Sequence, residues 1–500
     1  MADVRPGAGS GPGAPADLLD STDAGPAALR GGALRSGGYA AGLLLSLASA
    51  PLLVRHLGQE DFGRYITVLS VVVIVAGFTE AGLNTIALRE YATLRGPARE
   101  RALADALGLR ITLSAVAILL AAGFSAVAGY GSVLVLGTVL AGAGTLLLSV
   151  QTLLTVALQG KLRFGLLTLI DLARQALTVA LLVTLVLTDA QLTAFFAVPI
   201  ASGIVALAIT AVVVRGLTPL RPRFAVAAWW SLVRDTIPFA IAIALNAAYL
   251  RVAIIVMSLL AADALQTGYF STSFRVIEVL IGVPALVIGA AFPILTRAVR
   301  DDPARFAQAT ERVFELAVLA GALTALCVGL GAGFAVDVIG GDAAAPAADV
   351  LRIQSVAMLA TFVSVACSYP LLSLRRNRDL MVANAIALGL IIVLCLVLVP
   401  PLQAQGAAIA AVTAESVLAA TLALMLVRAA PQLRLPLSVL PVSLAGAVAA
   451  VGAARLIGGG DVLAVAVGAP VFVAVVGLLG RFPPEVSHAL RTRRQPAADR

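Results

Sequence analysis

Long apolar stretches separated by short polar connections make up most of the chain. Each stretch runs for about 20 residues without the strict alternation that a barrel strand requires, so each can cross a bilayer as a helix. We place about 14 such spans, in line with that length, at residues 37–55, 65–88, 104–128, 131–157, 164–187, 191–213, 231–260, 268–296, 311–334, 347–373, 380–399, 406–427, 436–456 and 461–480. The pattern predicts an all-α polytopic membrane protein.

Composition supports a lipid environment for most of the 500 residues. Hydrophobic residues make up 60% of the chain and charged residues 12%, against roughly 45–50% and 25% in soluble domains. A soluble particle has no surface on which to hide so many apolar residues. This excludes a soluble enzyme, a disordered chain, a disulfide-rich secreted module and a nucleic-acid-binding domain.

Metal and cofactor chemistry find no support in the residue pattern. The cysteines 327, 367 and 395 all lie inside apolar stretches, which is typical of small buried hydrophobic residues. His56 and His488 are far apart and lack ligand spacing. No phosphate-binding Gly-rich loop ending in Gly-Lys-Ser/Thr is present either. We therefore expect no metal site, no cofactor and no built-in ATP motor, and energy must come from gradients or from the substrate.

Positive charge alternates between the connections. Those after the even-numbered spans carry Arg or Lys, whereas those after spans three, five, seven, nine and eleven carry no Arg or Lys. The connections after spans five, seven and nine carry Asp instead. Cytoplasmic loops are enriched in Arg and Lys, so the alternation predicts an even number of spans with both termini in the cytoplasm. Arg55, Arg64 and Arg455 depart from this rule. We call the opposite end of the bundle the predicted outer end.

An internal repeat relates spans one to six to spans seven to twelve. Gly63 and Gly268 occupy similar positions 205 residues apart, and Arg215 and Arg428 end spans six and twelve. Six spans per copy gives parallel repeats with a cleft between two lobes, a typical arrangement for alternating-access transport. We expect a disordered cytoplasmic tail at 1–34 and two six-helix lobes at 35–215 and 216–430. Two additional helices follow at 431–481, and a basic cytoplasmic tail at 482–500.

Arg251 is the sharpest charge within a span. It lies about two-thirds along span seven with no acid within four residues, so no local helical pair neutralises it. A water-filled cleft holding a phosphate or a uronic acid would stabilise it, because guanidinium binds such groups through two hydrogen bonds. Snorkelling to the surface and an interhelical salt bridge are the structural alternatives. Asn246, about one turn earlier, is a second candidate for the same face.

Two charge pairs and two single carboxylates complete the candidate residues. Asp171 and Arg174 are three apart in span five, and Arg275 and Glu278 are three apart in span eight, so each pair lies on one helical face. Arg174 and Arg275 are candidate substrate-binding residues beside Arg251, or members of self-neutralised structural pairs. The candidate ion-coupling residues, for which interhelical hydrogen bonding or pairing is the alternative role, are Glu80, Asp171, Glu278 and Glu415.

Four segments resemble a known family in order along the chain. They read LGQEDFGRYITVLS, QGKLRFGLLTLIDLARQAL, TIPFAIAIALNAAYLRVAIIVMSL and QGAAIAAVTAESVLAATLALMLVR. The chain resembles the Wzx-type polysaccharide-precursor flippases of the multidrug/oligosaccharidyl-lipid/polysaccharide exporter superfamily. The resemblance implies a 14-helix, two-lobed flippase for undecaprenyl-linked sugars in the bacterial plasma membrane. Its expected partners are the bilayer, an undecaprenyl-pyrophosphate-type sugar and the polysaccharide assembly machinery.

Three other functions compete with flipping. A cation or drug efflux antiporter would carry acids rather than arginines in its cleft, so Arg251 argues against it. A membrane-embedded polysaccharide polymerase or ligase would need a long external loop with clustered polar residues, and no connection of that kind occurs. A scaffold that recruits partners through its tails is the last alternative. We therefore expect a transporter and not an enzyme.

Overall fold

The computed structural model describes residues 24–80, 82–289 and 292–480, and these residues are overwhelmingly helical. A single isolated bridge, Arg215 with Thr218, is the only β pairing among them. One short 3₁₀ turn spans Asp342–Ala344. The helices are α1 (Ala24–Glu80), α2 (Leu83–Thr93), α3 (Gly96–Val127), α4 (Ser132–Leu154), α5 (Val156–Gly160), α6 (Phe164–Leu187), α7 (Leu192–Val213), α8 (Val226–Leu260), α9 (Ala264–Gly289), α10 (Phe292–Asp301), α11 (Pro303–Leu330), α12 (Ala332–Gly340), α13 (Ala347–Ser355), α14 (Ala357–Ser373), α15 (Asn377–Ala429), α16 (Val439–Ile457) and α17 (Asp461–Leu478).

The prediction of a multi-pass helical membrane protein is confirmed. Within the described ranges, nine helical segments are long and apolar enough to cross a membrane. Large apolar side chains such as Leu119, Val127 and Val212 point outward and are exposed, as expected where the surroundings are lipid rather than water. The count of 14 spans and the cytoplasmic placement of both termini stay predictions.

Two of the helices are broken. Helix α1 covers the first predicted span and the second only as far as Glu80, and a separate α2 begins at Leu83. Helix α15 covers the eleventh and twelfth predicted spans. Helix α1 breaks at Gly58, whose φ of 73° is readily adopted by glycine. Helix α15 breaks at Gln403, with a φ of 51°, two residues after Pro401 of the pair Pro400 and Pro401. The two prolines lack the amide hydrogens that a continuous helix needs. At the break, the Gln403 side chain accepts a hydrogen bond from the Ala262 amide at 2.8 Å.

The predicted eighth and ninth spans differ from the structure at their ends. Helix α9 ends at Gly289, and a separate α10 follows, with Leu295 and Ala298 buried and Arg297 exposed. This two-faced pattern suits a helix lying along the edge of the bundle rather than one crossing it. Helix α11 begins eight residues before the prediction, at Pro303, because the Asp302 carboxylate caps it by accepting two backbone hydrogen bonds at 3.0 Å.

The same pattern of neighbouring helices occurs twice along the chain. In the first half (α1–α7), α1 packs against α6, α3 against α4, and α4 against α7. In the second half (α8–α15), the corresponding pairs are α8 with α15, α11 with α14, and α14 with α15. Helices α16 and α17 pack against each other and against α11. This arrangement agrees with the sequence repeat, while the domain boundaries at 215 and 430 stay a proposal.

The two halves meet where the repeat-related glycines lie. A Cβ atom on Gly268 would lie 2.0 Å from the Gln59 carbonyl oxygen, and one on Gly63 would lie 2.7 Å from the Gly268 nitrogen. The Gln59 side chain also accepts a hydrogen bond from the Thr272 hydroxyl at 2.8 Å. Equivalent residues of two copies touch only near the axis that relates them, so this contact marks the axis.

Further contacts join the halves at the same predicted outer end. The Arg55 guanidinium donates to the backbone carbonyls of Asp337 and Val338 at 2.9 and 3.1 Å. Tyr130, in the turn between α3 and α4, shares a 2.5 Å hydrogen bond with Ser258 near the end of α8. The structure therefore holds the predicted outer end closed between the halves.

Candidate functional site

Arg251, Arg275 and Glu278 form one ionic cluster between α8 and α9. The Glu278 carboxylate accepts from the Arg251 guanidinium through Oε1 and from the Arg275 Nη1 through Oε2, the latter at 2.7 Å. The three side chains keep only 17–27% of their surface exposed. We call this group the Arg–Glu–Arg cluster. It joins two residues predicted as a pair with a third from another helix.

The charge of the cluster does not cancel, since two guanidinium groups share one carboxylate. The Arg251 guanidinium also lies over the Phe274 ring, 5.5 Å from its centroid, a cation–π contact that further fixes its position. Tyr65, from α1 in the first half, lies within electrostatic reach of Arg275. The cluster therefore combines surplus positive charge with a position beside the junction of the two halves, which suits the binding of an anion.

Arg251 illustrates what sequence spacing alone left open. Its partner Glu278 lies 27 residues away on the next long helix, so no search within one helix finds it. Of the alternatives stated for Arg251, the interhelical salt bridge is the one that the structure contains. The predicted i, i+3 pair of Arg275 with Glu278 is also present.

The other candidate binding residues lie apart from the cluster. Asp171 and Arg174 are partly buried on α6, which packs against α1 and α7 rather than on α8 or α9. Asn246 is exposed on α8. Five residues correspond to a rotation of about 140° around a helix, so Asn246 and Arg251 project from different faces. The side chain of Glu80 lies outside the described residues.

Glu415 occupies a second polar site, inside the second half. Its carboxylate accepts a hydrogen bond from the Tyr249 hydroxyl of α8. The hydroxyls of Thr361 and Ser364 on α14 lie beside it, although the Ser364 oxygen does not reach hydrogen-bond geometry. A small cavity of about 60 Å³ adjoins these groups and is also lined by Gln354, whose buried Oε1 has no hydrogen-bond partner. We call this site the Glu415 pocket.

Tyr249 is not among the residues predicted from the sequence, because a tyrosine within an apolar span is typical of a packing residue. Its position two residues before Arg251 was the available signal. Within the described ranges, no cluster of three or more His, Cys, Asp or Glu side chains is placed to hold a metal ion.

The fold is that of known membrane transporters. A structure of the lipid II flippase MurJ in an inward closed conformation matches with a TM-score of 0.76 and 11% identity, covering 90% of this chain and 99% of that chain. Multidrug resistance MATE family transporters of the MOP superfamily match in an inward-facing conformation (TM-score 0.59, 13% identity, 78% of this chain and 96% of that chain) and an outward-facing one (0.55, 15%, 81% and 96%). The chain therefore shares the fold of these membrane transporters.

Sequence comparison assigns the chain to a family. The family model described as polysaccharide biosynthesis protein matches residues 28–299, more than half of the chain, and the chain belongs to this family. No curated protein sequence matches it. The family resemblance identified from the four segments is thereby confirmed.

Proposed function

We propose that the protein flips an undecaprenyl-linked oligosaccharide or polysaccharide precursor from the cytoplasmic to the outer leaflet of the bacterial plasma membrane, for cell-surface polysaccharide synthesis. Membership of a polysaccharide biosynthesis family and a fold shared with a flippase support a lipid-linked sugar as the cargo. The observation that carries the proposal is the Arg–Glu–Arg cluster beside the junction of the halves.

The cluster provides a phosphate site in which the Glu278 carboxylate occupies the place of the ligand. When no ligand is bound, Glu278 accepts from both Arg251 and Arg275 and holds the guanidinium groups in place. A pyrophosphate brings more acceptor oxygens than one carboxylate and competes for the same donors. The surplus positive charge remains to attract it, whereas a neutral or cationic ligand gains nothing from displacing Glu278.

Alternating access follows from the contact between the halves. The predicted outer end is closed at Gly63 and Gly268, so the lipid-linked ligand enters from the cytoplasmic side in this arrangement. Rocking of the halves against each other then separates Gly63 from Gly268, opens the outer end and releases the sugar there. Both tails remain on the cytoplasmic side throughout.

The membrane potential supplies a driving force without a coupling ion. A lipid pyrophosphate with about two negative charges gains about 4–5 kcal/mol on moving outward across 100 mV, inside negative. Dissipating the potential at constant pH gradient should slow flipping in liposomes. Unchanged rates would mean that ion coupling, and not the membrane potential, drives flipping. Glu415 would then be the best-placed carboxylate of the four candidates, because hydroxyl groups surround it.

Reconstitution with a labelled undecaprenyl-pyrophosphoryl sugar tests the proposed function directly. Wild-type protein should move the label between leaflets, and Arg251→Ala should slow flipping by about tenfold or more, since a charge-assisted hydrogen bond contributes about 1.5–3 kcal/mol. Arg455→Ala, an exposed arginine on α16 outside the repeat, is the matched control and should flip normally. Wild-type rates in Arg251→Ala would remove this arginine from the mechanism.

A cation efflux antiporter is the second candidate, favoured by the Glu415 pocket alone. A carboxylate within a polar cavity is suited to a proton or a small cation. If efflux is the function, the wild-type protein should export a fluorescent organic cation from vesicles and Glu415→Gln should abolish that export. Sugar flipping without cation export decides for the first proposal.

A further inference from the structure

A large polar cavity lies at the predicted outer end, separate from both ionic sites. Its volume is about 720 Å³, within the range of roughly 300–1,000 Å³ that is typical of ligand sites. Its walls come from both halves: the second part of α1, the turn between α3 and α4, the start of α7, and the turn between α8 and α9. We call it the outer vestibule. Nothing in the proposed mechanism so far uses it.

An unsatisfied hydroxyl group lies in the wall of the outer vestibule. Thr267 is only 2% exposed, lines the vestibule, and its Oγ1 has no hydrogen-bond partner. One turn further along α9, the Ser271 hydroxyl is 1% exposed and also lacks a partner. Buried polar atoms in proteins are nearly always hydrogen-bonded, so Thr267 points to a hydrogen-bonding ligand in the vestibule.

The charges of the vestibule favour an uncharged polar ligand over a phosphate. Arg64 is the only Arg or Lys among the described lining residues, and Asp61 and Glu60 neutralise it at 2.8 and 2.5 Å. The Asp263 carboxylate also lines the cavity, with one oxygen accepting from the Gln266 amide at 3.0 Å. Carboxylates with free lone pairs accept hydrogen bonds from hydroxyl groups, and no surplus positive charge is present to hold a phosphate.

A polar track connects the vestibule with the Arg–Glu–Arg cluster. Thr267, Ser271 and Arg275 follow one another at four-residue intervals and therefore share one face of α9. On α8, Ser258 lines the vestibule and lies seven residues, two turns, beyond Arg251. Eight residues of helix rise by about 12 Å, so the vestibule lies roughly that far along α9 from the cluster.

We propose that the outer vestibule is a saccharide-binding site, which holds the sugar of the lipid-linked ligand on the outer side after its phosphates have left the Arg–Glu–Arg cluster. The inference rests on the proposed function, because it takes the cargo to be a lipid-linked saccharide. The Thr267 hydroxyl exchanges hydrogen bonds with sugar hydroxyls, and Asp263 accepts from them. Since the walls belong to both halves, a bound saccharide stabilises the arrangement that is closed at Gly63 and Gly268.

Binding of free glycans to the purified protein tests the vestibule without transport. The probe is the oligosaccharide pool released by mild acid from the lipid-linked precursors of the producing cells, and saturation-transfer NMR reports its binding. Wild-type protein should bind the pool, and Thr267→Val and Asp263→Asn should each weaken binding roughly fivefold, the effect of losing one hydrogen bond. Thr324→Val, which removes a hydroxyl bonded within α11, is the matched control and should bind like wild type.

Each alternative result overturns the site. Equal binding by all variants, or competition of inorganic pyrophosphate with the glycans, would place the sugar elsewhere. Absence of glycan binding at millimolar concentration, while the intact lipid-linked precursor binds, would refute the vestibule and leave the proposed function intact. Failure of the intact precursor to bind would refute both. Thr267→Val keeps the shape of the side chain and removes an unpartnered hydroxyl, so unaltered thermal unfolding confirms that the variant is folded.

Discussion

The Arg–Glu–Arg cluster and the Glu415 pocket share helix α8 but have opposite electrostatic character. Arg251 faces α9, where two guanidinium groups share one carboxylate. Tyr249, two residues earlier, faces the opposite side of α8 and donates to the single carboxylate of Glu415 on α15. One helix therefore separates the proposed anion-binding site from the single carboxylate of the Glu415 pocket. A movement of α8 would affect both sites at once, which gives ligand binding and ion binding a shared element.

The largest expected effect distinguishes the cluster from an ordinary surface pair. Glu278→Gln removes the largely buried carboxylate that Arg251 and Arg275 share, which should lower the free energy of unfolding by about 3 kcal/mol. Asp349→Asn removes the acid of an exposed pair with the same three-residue spacing, Arg352 with Asp349, and should cost less than about 1 kcal/mol. Thermal and denaturant unfolding in detergent measure both. Equal losses would mean that the cluster is no more than a surface ion pair.

Separating the halves should affect the surroundings of the Arg–Glu–Arg cluster and leave the Glu415 pocket unchanged. In Gly268→Ala the new methyl group meets the Gln59 carbonyl, which disfavours the closed outer end by about 2 kcal/mol, or roughly 30-fold in the equilibrium. Labelling of a cysteine at Tyr65 by an impermeant reagent, in a background without the native cysteines, should therefore accelerate.

The control for that experiment is Gly389→Ala, where the added methyl group has open space and labelling should stay slow. A cysteine at Thr361, beside the Glu415 pocket, should react at the same rate in all backgrounds. Faster labelling at position 361 in Gly268→Ala would show that the two sites open together and would contradict their independence.

The forked shape of the guanidinium group accounts for a smaller effect. Arg275→Lys keeps the positive charge but replaces a planar two-pronged donor with a point charge, so affinity for inorganic pyrophosphate or for a lipid pyrophosphate should fall about tenfold. Arg174→Lys on α6 is the matched change outside the cluster and should leave affinity unaltered. Titration calorimetry checks both variants, and retained affinity in Arg275→Lys would reduce the cluster to a site of positive charge alone.

The smallest predicted effect concerns the Glu415 pocket. Tyr249→Phe removes one donor from Glu415 and should cost about 1 kcal/mol of stability, with little change in pyrophosphate affinity. Tyr269→Phe, on the neighbouring α9 and also at the edge of the apolar core, is the control and should cost less. A loss of pyrophosphate affinity in Tyr249→Phe would show that the two faces of α8 are not independent.

The sequence predicted the membrane-spanning helices well because their signal is local. Continuous apolar stretches and the three-residue spacing of Arg275 and Glu278 are both visible within one helix. The ends of predicted spans eight and nine were wrong for a local reason too: the short two-faced helix α10 and the cap at Asp302 were read as apolar continuation. The contact of Gly63 with Gly268 was only suggested, through their equivalent places in the repeat.

The sequence by itself determined that this chain is embedded in lipid and that its helices form two similar sets. It also determined which charged residues lie within those helices. Only the tertiary structure decided that Arg251 shares Glu278 with Arg275, that Tyr249 meets Glu415, and that Thr267 lines a cavity. The reason is physical. Spacing along a helix fixes which residues share a face, whereas the rotation and packing of whole helices, set by many weak contacts, fix which faces meet.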